Sequence, residues 1–252
     1  MQLHSGDLGW NWSLGTQTMV DALRVWSRDE EVSAVGMQDA PGLFRMAIAP
    51  AVADDDKFAQ RVLDDLDRAG ATVVEARFGD ALRGLLERDR WLADKPWSPL
   101  CRDLTAPVEE CGLRIEVVGE HNVRDRVAVQ RASFANSTFT EQRWRTMAAT
   151  PAYRNGRCLV GYDGAGAAVA TVTVWSAGPG RPGLLEPLGV HRDHQRRGHG
   201  RAITLAAAAA LREMGASAAT VCTSSSNVAA VATYASAGFE RLAESADFRK
   251  PA

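Results

Sequence analysis

One loop places the tightest constraint on this chain. Residues 188–201 join a predicted strand to a predicted helix, and they hold two closely spaced glycines, Gly198 and Gly200. Glycine lets a backbone approach a ligand and adopt positive φ. The following helix presents unpaired N–H groups and the positive end of its dipole, which attract anions. Four arginines oppose the single Asp193 in this loop: Arg192, Arg196, Arg197 and Arg201. The loop therefore predicts a site for an anionic ligand.

Two common phosphate-binding patterns do not fit this loop. No Lys-Ser or Lys-Thr pair follows the glycines, which excludes a P-loop. The dinucleotide fingerprint needs a third glycine three residues after the second, and the sequence lacks it there. The pattern that fits is Q/R-x-x-G-x-G/A, which residues 195–200 follow as Gln-Arg-Arg-Gly-His-Gly.

This hexapeptide resembles the acetyl-CoA motif of the GNAT N-acyltransferase family. A second pattern lies downstream, where residues 227–239 resemble the family's N-x-x-A-x-x-x-Y-x-x-x-G-F signature. Its matching positions are Asn227, Ala230, Tyr234, Gly238 and Phe239. The two motifs occur in the family's order, and the resemblance covers about residues 113–250.

The resemblance implies an α/β fold of the α+β type, with a mixed, mostly antiparallel central sheet flanked by helices. It also implies an N-acetyltransferase that uses acetyl-CoA as co-substrate. A primary amine of a small molecule or peptide would attack the thioester directly in a ternary complex, without a covalent enzyme intermediate. The alternative is a non-catalytic module that binds or senses acyl-CoA.

The resemblance also assigns roles in cofactor binding. The backbone amides from Arg196 to Arg201 would cradle the pyrophosphate. The main chain at Leu188 and Val190 would pair with the pantetheine arm, which Asn227 would also contact. The expected cofactor-binding residues are Leu188, Gly189, Val190, Gln195, Arg196, Arg197, Gly198, His199, Gly200, Arg201, Asn227 and Tyr234.

Two catalytic residues are expected. Tyr234 would protonate the leaving thiolate, because a phenol with a pKa of about 10 stays protonated where a thiol of about 8.5 does not. Glu186, on the strand before the loop and with the side-chain parity of Leu188, would accept the proton of the amine. His191 is a second candidate base. The other interpretations are a surface charge at Glu186 and a packed aromatic ring at Tyr234.

Two domains are expected, at residues 1–110 and 111–252. The proline-containing stretch 95–112 reads as a connector. The first half repeats part of the order of the second, with strands at 42–50 and 71–76 and helices at 54–68 and 80–92. It has aspartates at 54–56 where an anion loop would need glycine and arginine, and these would repel a pyrophosphate. We therefore expect a degenerate GNAT-like half that has lost acetyl-CoA binding and serves as a wall.

Periodicity and turn residues place the elements of the second half. Predicted strands are 113–118, 158–162, 169–175, 184–190, 218–223 and one from Phe239, and a hairpin turn is predicted at 163–166. Predicted helices are 124–135, one capped by Thr140, 200–214 and 227–237.

Aromatic and histidine side chains leave several interpretations open. Five of the seven tryptophans lie in the first 100 residues. They are expected in a core, although Trp10 and Trp12 could cover the acceptor site. Core packing and acceptor contact remain equal interpretations for three further residues: Phe134, Phe139 and Trp144. No metal site is expected from His191, His194 and His199, because the arginines around them repel a cation.

Composition excludes other classes of protein. The net charge of −2 over 252 residues lacks the basic excess of a nucleic-acid binder. The longest apolar run, 205–211, is far below the roughly 20 residues of a membrane span. No secretory signal is recognised at the N-terminus, and the four cysteines form no C-x-x-C pair. We expect a cytoplasmic protein that is a monomer or homodimer.

Overall fold

The computed structural model describes residues 2–251. Its strands are β1 (Leu23–Arg28), β2 (Glu31–Ala40), β3 (Leu43–Ile48), β4 (Val73–Glu75), β5 (Leu92–Asp103), β6 (Arg114–Val117), β7 (Gly156–Tyr162), β8 (Ala168–Trp175), β9 (Gly183–Val190), β10 (Ala218–Ser224), β11 (Glu240–Arg241) and β12 (Ser245–Arg249). Its α-helices are α1 (Ser5–Asn11), α2 (Thr16–Ala22), α3 (Asp56–Arg68), α4 (Asp80–Arg88), α5 (Val123–Ser133), α6 (Glu141–Ala148), α7 (His199–Glu213) and α8 (Val228–Ser236).

All the strands belong to one sheet. Its order is β1-β2-β3-β4-β12-β5-β10-β9-β8-β7-β6, and β11 pairs with β5. The parallel pairs among residues 2–251 are β3 with β4 and β9 with β10. The expectation of a mixed, mostly antiparallel sheet flanked by helices is therefore confirmed.

The two halves follow the same order of elements. Each has an antiparallel meander of three strands, a helix, a strand parallel to the third of the meander, and another helix. In the first half this run is β1 to α4, and in the second half it is β7 to α8. The sequence prediction found β3, α3, β4 and α4 in the first half but assigned nothing to β1 and β2.

The halves exchange strands. β5 precedes the second half in sequence, but its residues 97–103 pair with β10, from Ala218 opposite Asp103 to Ser224 opposite Trp97. β12 comes from the end of the second half and lies between β4 and β5. The sheet is therefore continuous through both halves.

The prediction of a connector from residue 95 is wrong for residues 95–103, which form part of β5. The prolines there suggested a break, because proline cannot donate to a strand ladder. Both keep a partner through the carbonyl group instead: Pro96 O accepts from Ser225 N at 3.0 Å and Pro99 O from Leu242 N at 2.9 Å. Residues 104–113, in contrast, contain no helix or strand.

Helix α7 packs against the sheet of the second half. Its alanine-rich sequence favours helix, and Ile203, Leu205, Ala207 and Leu211 are buried in the core. Gly215, at φ 82°, ends the helix, and Ala216 N returns to Leu211 O at 3.0 Å. This left-handed glycine cap is the helix stop that the sequence predicted.

Candidate active site

The loop between β9 and α7 has the backbone shape of an anion site. Arg196 and Gly198 adopt positive φ, 60° and 84°, and Gly198 is the N-cap of α7 without any side-chain cap. The first N–H groups of a 15-residue helix are therefore left without a partner from a capping side chain. Helix termini of this kind bind phosphate groups through their N–H groups and dipole.

The four arginines of the loop do not share one role. Arg192 donates to Ala132 O at 2.9 Å, and Arg201 donates to Ser236 O at 2.8 Å and pairs with Glu109. Within residues 2–251, the side chains of Arg196 and Arg197 make neither a hydrogen bond nor an ion pair. Arg192 is also exposed and bonds only to neutral carbonyl groups, so the exposed positive charge of the loop comes mainly from Arg192, Arg196 and Arg197.

A groove of about 510 Å³ opens beside this loop. We call it the loop groove. β9, the end of α5 and helix α8 line its other sides. Of the predicted cofactor-binding residues, it is lined by Leu188, Gly189, Val190, Gln195, Arg196, Gly198, Gly200, Arg201 and Tyr234.

Three of the predicted cofactor-binding residues lie elsewhere. Arg197 and His199 are outside the lining of the groove. Asn227 lines a neighbouring cavity, and its Oδ1 caps α8 by accepting from Ala230 N at 3.1 Å. The structure thus gives Asn227 a helix-capping role that the motif alone did not indicate.

Strands β9 and β10 separate early, which opens the sheet. Their parallel pairing is confined to Gly183 opposite Ala219 and Leu184 opposite Thr220. On its other side β9 carries a bulge, since Val172 faces Leu188 while Val174 faces Leu185. The bulge contains Glu186 and Pro187, and the proline has no N–H to donate to the strand ladder. Beyond residue 184, β9 thus has a main-chain edge that β10 does not use.

A second cavity, of about 410 Å³, lies on the other side of this opening. We call it the interface cavity, because both halves of the chain line it. The second half contributes Glu186, Leu188, Asn227 and Tyr234, among others. The charged residues that the first half and β12 contribute are Asp7, Asp39, Arg45, Glu75, Arg77 and Asp247.

Glu186 extends into the interface cavity without a partner. Among the described residues, its carboxylate makes neither a hydrogen bond nor an ion pair. Burial, followed by the charge of Asp7, raises the pKa of Glu186 to about 7; Arg45 opposes the rise, and Asp39 and Glu75 add to it. A carboxyl group with this pKa can exchange a proton near neutral pH.

Tyr234 lies where the two spaces meet. It is buried on α8 and lines both the loop groove and the interface cavity. Burial, followed by the charge of Glu186, raises the pKa of its phenol above the ordinary value. The hydroxyl group is therefore protonated at neutral pH and is able to donate a proton.

His191 is placed less well for a base. Its Nδ1 accepts from Asp193 N at 3.3 Å, which caps the short 3₁₀ turn at Arg192–His194. It lines neither the loop groove nor the interface cavity. The geometry therefore favours Glu186 of the two candidate bases.

The aromatic residues divide between core and site. Phe134 is 40% exposed and lines both spaces, so it is placed to contact a ligand. Phe139 and Trp144 are buried in a core cluster, and Trp10 stacks on Phe139 at a centroid distance of 5.2 Å. Trp12 donates to Thr16 Oγ1 at 3.2 Å and lines neither space.

Asp163, His194 and His199 come together beside the loop. Their ligand atoms lie within 4.8 Å of one another, close enough to share a metal ion. Each side chain is partly exposed. Burial lowers the pKa of His199, His194 and Arg197 add to this effect, and Asp163 opposes it. The expectation that the chain has no metal site stays a prediction.

Sequence reasoning missed the charged wall from the first half. Arg45 interrupts the otherwise apolar strand Leu-Phe-Arg-Met-Ala-Ile, and Glu75 ends the strand Val-Val-Glu. A lone charge in a buried strand needs a partner, so this interruption was a usable signal. Which charges meet depends on long-range pairing, which the sequence did not disclose.

Within residues 2–251, no helix has the length and apolarity needed to cross a membrane.

Comparison with known proteins agrees with these features. Residues 125–239 match the model of the Acetyltransferase (GNAT) family. No curated protein sequence matches the chain.

Solved structures share the fold at low sequence identity. A GCN5-related N-acetyltransferase from Sphaerobacter thermophilus has a TM-score of 0.62 at 17% identity, covering 88% of this chain and 78% of its own. One from Kribbella flavida has a TM-score of 0.61 at 16% identity, covering 100% and 97%. A tandem GNAT protein from the clavulanic acid biosynthesis pathway has a TM-score of 0.61 at 12% identity, covering 90% and 82%.

Proposed function

We propose that this chain, whose residues 125–239 match the GNAT family model, is an N-acetyltransferase that transfers the acetyl group of acetyl-CoA to a primary amine. One observation carries the proposal. Glu186 and Tyr234 both line the interface cavity at the opening beyond the β9–β10 pairing, and Tyr234 also lines the loop groove.

The loop groove suits the shape and charge of acetyl-CoA. The uncapped N-terminus of α7 and the side chain of Arg196 would hold the pyrophosphate. The unpaired edge of β9 at Leu188–Val190 offers main-chain groups to the amide-containing pantetheine arm, in the manner of an added strand. Phe134 and Leu188 supply apolar contacts around the arm.

The reaction then needs three proton transfers. The acceptor arrives in the interface cavity as an ammonium ion, and Glu186 takes one proton to give a nucleophilic amine. The amine nitrogen forms a bond to the thioester carbon, and the carbon–sulfur bond breaks. Tyr234 donates its phenolic proton to the sulfur as the thiolate leaves, and the nitrogen gives its second proton to the Tyr234 phenolate as the amide forms. No covalent link to the protein is needed.

The first half is better suited to form a wall of the interface cavity than to bind a second acetyl-CoA. At its corresponding helix, Asp55 caps α3 by accepting from Phe58 N at 3.0 Å, whereas no side chain caps α7. A carboxylate already occupies the position where a phosphate would bind. We therefore propose that acetyl-CoA binds to the second half alone.

Release of CoA thiol from acetyl-CoA, followed across a panel of amines, tests the proposal. Transfer with a mass gain of one acetyl group on the amine supports it. Calorimetric titration of acetyl-CoA provides the second measurement. Binding without transfer to any amine would leave the alternative of an acyl-CoA-binding module, and absence of binding would exclude both.

A further inference from the structure

We propose that the acceptor is a small diamine, whose second ammonium group is held by carboxylates that the first half brings to the interface cavity. This inference rests on the proposed function, because it names the class of amine used at the same site. It assigns to the first half the choice of substrate.

The wall of the interface cavity is a row of alternating charges. Arg45 pairs with Asp7 at 2.9 Å and with Glu75 at 3.0 Å. Arg77 pairs with Glu75 at 3.3 Å and with Asp247 at 3.2 Å. Three carboxylates thus enclose two guanidinium groups, and the row alone has one excess negative charge when all five are ionised.

Two further carboxylates add to this excess. Asp39 and Glu186 line the same cavity, and neither makes an ion pair within the described part of the chain. Asp39 is exposed and accepts only from Asn11 Nδ2, at 3.0 Å. Five carboxylates against two guanidinium groups leave three excess negative charges in the fully ionised cavity.

Glu75 has an oxygen that lacks a donor. The residue is 5% exposed, and its Oε2 accepts from Arg45. Its Oε1 is buried and has no hydrogen-bond partner. Leaving a buried acceptor unsatisfied costs free energy. An ammonium group with three N–H donors would satisfy Oε1 and offset part of the charge of the row.

The arginines do not make this an anion site. The Arg77 side chain is 3% exposed and Arg45 17%, and both face carboxylates. An acceptor with a carboxylate would therefore meet negative charge without an available cation. Like charges placed side by side in a binding site select against such a ligand.

The remaining lining suits a hydrocarbon spacer. The apolar members include Leu43, Trp97, Leu184 and Pro187. The cavity of about 410 Å³ has the size of a small-molecule site. One end of a diamine would meet Glu186 and lose a proton, while the other end stays charged beside Asp39 and Glu75.

The test compares three acceptors of similar length: putrescine, butylamine and γ-aminobutyrate. With saturating acetyl-CoA, we expect kcat/KM for putrescine to exceed that for butylamine at least about tenfold, the effect of one favourable charge contact, and γ-aminobutyrate to be the poorest. A series of longer and shorter diamines, each with its matched monoamine, sets the spacing.

Asp39→Asn is the main variant, because Asp39 is exposed and outside the row of ion pairs. We expect it to raise KM for putrescine by about tenfold more than KM for butylamine. Glu75→Gln is expected to act in the same direction. Asp64→Asn, an exposed aspartate on α3 outside both cavities, is the matched control and should leave both values unchanged.

The outcomes separate the two proposals. If no amine is acetylated, the proposed function fails. If monoamines or amino acids are acetylated as well as or better than diamines, the function stands and the diamine assignment is overturned. If diamines are preferred equally in Asp39→Asn, Glu75→Gln and the unchanged chain, the wall is not the cause and the assignment to the first half is overturned.

Discussion

Gly200 on α7 and Thr233 on α8 approach so closely that no methyl group fits between them. A Cβ at position 200 would lie 2.9 Å from Thr233 Cγ2. The second glycine of the loop motif therefore serves helix packing, while Gly198 supplies the left-handed turn.

Gly200→Ala is expected to destabilise the protein by about 1–3 kcal/mol, the usual cost of an overpacked contact. Chemical denaturation measures it. The double variant Gly200→Ala with Thr233→Ser should recover most of the loss, because serine lacks Cγ2. Gly84→Ala is the matched control: nothing lies within 4 Å of its Cβ, and in the helix α4 it should stabilise by roughly 0.5–1 kcal/mol. An equal loss in both single variants would contradict the packing argument.

Glu186→Gln is expected to lower kcat by about 10²–10⁴-fold, because the amide cannot accept the proton of the ammonium ion. The affinity for acetyl-CoA should change little, since Glu186 lines only the interface cavity. Steady-state kinetics and calorimetry check the two parts. Glu213→Gln removes an exposed carboxylate that pairs with Arg157 at 3.3 Å, and it should match the unchanged chain.

The rate should depend on the ionisation of Glu186. Its pKa of about 7 means that the carboxylate form, which acts as base, is lost as the pH falls. We expect kcat/KM to rise with pH and to bend at about 7, and this bend should disappear in Glu186→Gln. A bend of the same position in the variant would assign the titration to another group.

The free energy of unfolding should depend on pH in the opposite direction to kcat/KM. The folded-state pKa of Glu186 is raised from 4.5 to about 7, so the folded protein holds the proton more tightly than the unfolded chain. The protonated Glu186 therefore makes its full contribution to the free energy of unfolding below about pH 4.5. This contribution is lost as the pH rises through about 7. Glu186→Gln cannot ionise, so its gain in Tm over the unchanged chain should be larger at about pH 8 than at about pH 5. A gain that does not vary with pH would contradict the assignment.

Tyr234→Phe is expected to lower kcat without weakening acetyl-CoA binding, because phenylalanine keeps the packing on Phe239 but has no proton to donate. Tyr162→Phe is the control; Tyr162 donates to Asp125 at 2.8 Å and lines neither space. If Tyr234→Phe and Tyr162→Phe have the same kcat, the leaving thiolate takes its proton from elsewhere.

Local signals predicted the second half well. The glycine loop and the Thr140 cap each depend on residues within a few positions, and Thr140 Oγ1 accepts from Arg143 N at 3.2 Å as expected. The residues around the loop groove follow from the same motif, because a strand, a tight turn and a helix determine their relative positions.

The sequence did not reveal which strands, and which charged side chains, pair over long distances in the chain. β5 was hidden because its prolines indicate a break, although their carbonyl groups still accept hydrogen bonds. The charged wall of the interface cavity could not be predicted, because its residues come from four separate elements: Asp7, Arg45, Glu75 and Asp247. These side chains form ion pairs with one another only when β3, β4 and β12 lie side by side.

Because the halves exchange strands, the sheet of the first half can be completed only after β12 has been synthesised. β4 has β12 as its neighbour in the finished sheet, and β12 follows α8 in the chain. While the ribosome is still making residues 104–244, the growing first half exposes an open strand edge. Its sheet closes only after residue 249 has left the exit tunnel, and until then the open edge of β4 is a site where another chain can pair.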